Sequence, residues 1–279
     1  MRRFYGAFAV LAGLGVAGAV AAAPSVKIDH AVARVVVSPE ARTDIKIEVV
    51  GANPKLPLRT WTFLGRTYVD GGIHSFRIRN CGGTASHPTV DVLGIGRLSE
   101  DELPTIIIHS PPDVHVQASG AVFGRVIRSD SVELANAGCG DWDVGNVRGR
   151  LKVLVTGSGS VHAGQAAAAE LMVAGSGDIS TREITGAVGA ENVGSGDIEV
   201  ASASGALSTR IAGSGHVRVA GGHVTAMQVS IAGSGDVIMR GQADSLKASL
   251  VGSGDVQVAK VNGAVTKAVV GSGEVRVGS

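Results

Sequence analysis

The sequence predicts an all-β chain wound as a β-solenoid with coils of about 19 residues. Three observations predict it. A Gly-Ser-Gly turn recurs seven times, starting at Gly157, Gly175, Gly194, Gly213, Gly233, Gly252 and Gly271, with spacings of 18, 19, 19, 20, 19 and 19 residues. The fourth residue after each first glycine is β-branched: Val161, Ile179, Ile198, Val217, Val237, Val256 and Val275. Glycine accounts for 41 of 279 residues and aromatics for only 3%, a composition of turns and small aliphatic side chains. A fixed period of this length marks one supersecondary unit stacked on itself.

Each repeat reads as strand, turn, strand, turn. After the Gly-Ser-Gly, apolar residues alternate with polar or charged ones, as in Ile198 and Val200 around Glu199, the period of a strand with one buried face. A second glycine follows in several copies (Gly149, Gly186, Gly205, Gly263), and then a second alternating arm such as Met227, Val229 and Ile231. An eighth copy, Gly138-Cys139-Gly140-Asp141, carries Cys in place of Ser and Trp142 in the β-branched position. Two architectures satisfy this pattern. In a coil, equivalent residues stack at the interstrand spacing of roughly 4.8 Å; in a meander, each unit is a hairpin with Ser-Gly at its tip. The coil explains the unvarying β-branched position and the near-constant turn length.

Upstream, the elements are less regular. Residues 1–23 have the form of a secretory signal peptide: Arg2 and Arg3, an apolar run from Phe4 to Val20, then Ala21-Ala22-Ala23, with cleavage after Ala22 or Ala23; a retained anchor is the other reading. Residues 24–117 form an N-terminal β region that caps the solenoid. Its expected strands lie at Val32–Val37, Ile45–Val50, Leu58–Phe63, Ser75–Ile78, Val90–Ile95 and Thr105–His109, separated by turn signals such as Asp70-Gly71-Gly72. Leu98–Leu103 is an acidic loop or a single helical turn, and Pro111-Pro112 breaks the chain before the lead-in to the rod. Residues 118–279 are the repeat solenoid, opening on a degenerate Ala118-Ser119-Gly120. Gln165–Leu171, with four consecutive alanines, fits a helical turn or a strand.

An N-terminal β region, a Pro-x-x-Val lead-in (Pro111 to Val114) and repeated Gly-Ser-Gly-Asp-[Val/Ile] turns resemble the autotransporter-adhesin head domain family, called the GIN domain, over residues 30–279. The resemblance implies a right-handed parallel β-helix in an exported bacterial protein, without an assigned activity. Ser160, His216 and Glu274 depart from the family's Asp.

Export exposes Cys81 and Cys139 to oxidising conditions, so a single disulfide between them is expected, two buried free thiols being the alternative. The column Asp141, Ser160, Asp178, Asp197, His216, Asp236, Asp255, Glu274 presents stacked carboxylates that suit either Ca²⁺ or hydrogen bonds from turn N–H groups; the latter is expected, with no metal and no cofactor. Seven equivalent serines argue against one activated nucleophile. No helix follows the glycine turns, which excludes phosphate loops. The eight histidines lack ligand spacing. Removing Arg2 and Arg3 leaves 23 basic against 24 acidic residues with no basic tract, which excludes nucleic acid as partner. The expectation is an exported, non-catalytic β-solenoid, periplasmic or at the cell surface. Its role is adhesive, scaffolding or envelope-interacting, with a protein or glycan of the envelope as partner and self-association possible through the C-terminal coil. The rival is a carbohydrate-binding or polysaccharide-processing β-helix. Any aromatic binding surface must then lie near the N-terminal end, since no Phe, Tyr or Trp follows Trp142.

Overall fold

A computed structural model describes residues 23–278; the expected signal peptide lies outside the described residues except for Ala23. The chain is all-β, a parallel solenoid of about nine turns with coils of about 19 residues. Ile179 pairs with Ile198, Ile198 with Val217, and Val217 with Val237, all parallel and in register. The second arm stacks likewise, with Leu151, Ala169, Val188, Leu207, Met227 and Leu246 one above another. Parallel pairing between successive repeats rules out the meander. These residues are all buried, and each large aliphatic side chain withdrawn from water stabilises the fold by about 2 kcal/mol.

The turns show why the motif is Gly-Ser-Gly. The carbonyl of each first glycine accepts two N–H groups from the next coil: Ser195 N and Gly196 N both donate to Gly175 O, at 3.0 and 3.2 Å. That pair of hydrogen bonds draws the backbones so close that a Cβ on Gly196 would lie 1.9 Å from Gly177 O, and one on Gly194 2.2 Å from Gly175 O. Neither position has room for a side chain. Two turns are also closed from inside, by buried Asn136 and Asn192, whose Nδ2 groups donate to Gly140 O (2.7 Å) and Gly196 O. Trp142 occupies the aliphatic column because Gly124 stacks over it; a Cβ there would lie 2.2 Å from the indole.

The stack begins with β1 (Ser25–Pro39), followed by β2 (Lys46–Val50), β3 (Arg59–Phe63), β4 (Arg66–Asp70), β5 (Ile78–Gly83), β6 (Pro88–Val92), β7 (Gly96–Leu98), β8 (Thr105–Ser110) and β9 (Asp113–Val126). β1 and β9 are long strands that pair in parallel and cross both faces of the coil, bending where His30 (φ 51°) meets Gly120 (φ 103°). After β1 the chain does not wind onward. It climbs above β1, lays β4 on its first half and β8 on its second, and only then returns below as β9. β3 and β2 pair antiparallel with β4 and β8, so the first end of the rod is closed by strands of opposite direction. The antiparallel sheet β5–β6–β7 packs beside this end over outward-facing Val32, Ala121 and Phe123, forming a second small core.

Several local expectations differ from what is observed. Ser75–Arg77 is a 3₁₀ turn instead of a strand, while β4 and β7 lie outside the runs marked as strands. The alanine tract resolves as strand, Ala168–Val173, because its alternate residues Ala169 and Leu171 continue the buried column. The acidic stretch is a single 3₁₀ turn, Glu100–Glu102, in which the Ser99 backbone N–H and hydroxyl both donate to Glu102 (2.9 and 3.0 Å).

Candidate interaction surfaces

The carboxylate column lies along one edge of the rod, carried by the turns. Each Asp accepts the backbone N–H of the equivalent residue one coil on: Ser160 N to Asp141, Asp197 N to Asp178, His216 N to Asp197, Asp255 N to Asp236 and Glu274 N to Asp255, at 2.8 to 2.9 Å. Where His216 replaces Asp, its Nδ1 accepts Asp236 N at 3.1 Å, so the ladder continues. Cations offset the stacked charge. Arg218 reaches Asp197 at 2.5 Å, and Arg276 reaches both Asp255 and Glu274. Burial works to raise the Asp197 pKa, but the Arg218 hydrogen bond and the His216 N–H outweigh it, leaving the carboxyl below its ordinary value. Asp141 lacks such a cation, and burial pushes its carboxyl up. The Ser column contributes a hydroxyl contact between Ser176 and Ser195 (3.3 Å). Among the described residues no group of three or more His, Cys, Asp or Glu is gathered closely enough to hold a metal ion.

The histidines are distributed among carboxylates. His109 pairs with Glu40, His115 with Glu133 (3.3 Å) and His223 with Asp244 (2.7 Å). The His109 hydrogen bond lowers the Glu40 pKa, and the His223 hydrogen bond lowers that of Asp244. Each is a coil-to-coil or strand-to-strand tie on the surface. Cys81 of β5 and Cys139 of the first full turn form a disulfide across a sequence separation of 58, with Cα atoms 5.8 Å apart; it fastens the small side sheet to the rod.

The broad outer face offers relief of another kind. Gly189 leaves a gap between Glu170 and Ser208, flanked by Lys152, Glu191 and Arg210, which forms a shallow groove of about 330 Å³. A neighbouring groove of about 500 Å³ runs along Ala168, Ala187, Ala206 and Ala226 and shares Glu170, Gly189 and Ser208 with the first. Small side chains at equivalent places in successive coils make these depressions continuous, and charges of both signs line them.

The capped end differs in character. β3 is exposed along its whole length. Trp61 stands opposite Tyr68 of β4, their rings parallel within 6° and 5.3 Å apart. Phe63 is exposed beside the two-residue turn Leu64-Gly65, and Phe76 stacks on His74 at 5.8 Å. Sequence reasoning placed the aromatics at this end without assigning any to the surface. Leu64-Gly65 is not a favoured hairpin dipeptide, and the alternating arms around it gave no sign of which face was exposed.

Residues 99–222 and 166–279 each match the family model described as "Putative auto-transporter adhesin, head GIN domain". No curated protein matches the chain.

Proposed function

The chain belongs to the auto-transporter adhesin head GIN domain family, and from that premise we propose that it is an exported, non-catalytic β-solenoid. Its role is to hold or adhere to a component of the cell envelope, in the periplasm or at the surface. The observation that carries this reading is repetition. Carbonyls, carboxylates and hydroxyls recur coil after coil and bond to their own equivalents, which suits a stiff scaffold, whereas catalysis draws unlike groups to one place. Export is supported by the pattern of residues 1–23 and by the disulfide, which belongs to an oxidising compartment. Among the described residues no helix is long and apolar enough to cross a membrane. The outer-face grooves provide extended contact area with charges of both signs, which fits an elongated protein or glycan partner.

Two measurements test the proposal together. Purified protein is titrated against isolated envelope fractions, and the same preparation is incubated with envelope and plant polysaccharides while reducing ends are assayed. Saturable retention with no reducing ends is the expected result. Release of reducing ends would establish the polysaccharide-processing alternative in its place.

A further inference from the structure

We propose that the β3–β4 hairpin docks on a lipid bilayer, seating its Phe63-Leu64 tip and Trp61 in the interfacial layer of an anionic membrane. The inference begins with where aromatic side chains are placed. The described residues hold six Phe, Tyr and Trp: Trp61, Phe63, Tyr68, Phe76, Phe123 and Trp142. Only Phe123 and Trp142 are core residues, and three of the other four sit on this one hairpin. Trp61 is 49% exposed and Phe63 63%, although the chain has few aromatic residues with which to build a core. A concentration of this kind on a surface marks an interaction site.

The tip carries the second observation. Leu64 has φ 47° and Gly65 φ 76°, the left-handed pair of a two-residue hairpin turn. Asn or Asp fits the first of these positions. A leucine there has an unfavourable backbone and is also 83% exposed to water. Both penalties make sense if the side chain leaves water in the working state. Arg59 and Arg66, on the same face of the hairpin as Trp61 and Phe63, enter no ion pair among the described residues; Arg66 instead donates to Ser25 Oγ at 3.1 Å. Asp70, in register with Arg59, faces His30 at 3.5 Å. Apolar tip, interfacial Trp and Tyr, and flanking guanidiniums outside any ion pair among the described residues together match a bilayer surface with anionic headgroups.

A sugar ligand is favoured less. Tyr68 already covers one face of Trp61, and Phe63 and Leu64 form a wedge instead of a flat ring platform.

The test uses the mature chain beginning at Ala23 and tryptophan emission. Trp142 is fully buried, so changes on adding vesicles report Trp61, and Trp61→Phe provides the blank. Phosphatidylcholine vesicles, with and without phosphatidylglycerol, carry brominated acyl chains as quenchers. A blue shift and quenching of Trp61 are expected, stronger with phosphatidylglycerol. The double variant Phe63→Ser/Leu64→Asn should weaken the anionic-vesicle response by about tenfold or more, while its thermal unfolding remains cooperative. Because the mature chain lacks residues 4–20, quenching of Trp61 reports the hairpin itself. The proposal is overturned if Trp61 is unaffected by vesicles, if wild type and double variant are quenched alike, or if emission shifts with soluble oligosaccharides but not with vesicles. Loss of envelope retention with Trp61 quenching intact would count against the adhesive reading alone.

Discussion

The repeat coils and the capped end meet the same requirement, satisfying strand edges, by opposite means. In the repeats, each backbone bonds to an identical backbone one coil away, which at the Gly-Ser-Gly turns requires approaches too close for a Cβ and elsewhere side chains small enough to stack. The interior is accordingly Val, Ile, Leu and Ala, and the surface is polar turns. At the capped end the direction reverses, with antiparallel β2 and β3 laid over β8 and β4, a side sheet and a disulfide, and there Trp61, Phe63, Leu64 and Phe76 face outward. A periodic region can be stable through uniformity, but a terminus must be specified by features that occur once. Those single features are also where a distinct activity can reside.

The largest expected effect separates the two regions outright. Replacing Cys81 and Cys139 together by Ser removes a cross-link whose chain-entropy contribution is about 4 kcal/mol. Amide exchange should accelerate over β5–β7 while Leu207–Gly213 and Met227–Gly233 stay protected; equal acceleration in both would mean that the two regions unfold as one unit. Next is a comparison of glycines by chemical denaturation. Gly196→Ala places a Cβ 1.9 Å from Gly177 O and should destabilise by about 3 kcal/mol or more, whereas Gly96→Ala meets nothing within 4 Å and should cost about 1 kcal/mol through its φ of 103°. Similar losses at both sites would dissolve the distinction between close approach and turn conformation.

Two smaller effects sharpen the picture. Asp197 has a folded-state pKa below its unfolded value, so its stabilisation is full above the unfolded pKa and disappears as pH falls through the folded one. Asp197→Asn should therefore lose about 1 kcal/mol at neutral pH and nothing relative to wild type once both pKa values have been passed. Asp141, raised by burial, has the opposite sign: its charged form opposes folding increasingly as pH rises through the unfolded and then the folded pKa, and Asp141→Asn should match or exceed wild-type stability at neutral pH. Thermal unfolding across the acid range checks both. The smallest change is Leu64→Asn, which gives the hairpin its preferred Asn-Gly turn and should raise stability by about 0.5 kcal/mol, readable as a higher melting temperature of the cap.

How far the sequence could be read follows from the range of the interactions. Its period, its β-branched column and its Gly-Ser-Gly turns determined the solenoid, because each coil repeats one contact with the coil before it. The path from β1 up to β4 and β8 and back to β9 was not legible, since the pairs Arg34 with Thr105 and Val35 with Gly124 join segments whose order in space no local pattern records. Nor did alternation in Arg59–Phe63 reveal whether Trp61 faced a core or water. An alternating arm reads the same in a central strand as in an edge strand, and only the tertiary placement of β3 at the rod's end, with no further strand among the described residues to cover it, decided that its aromatic residues form a surface.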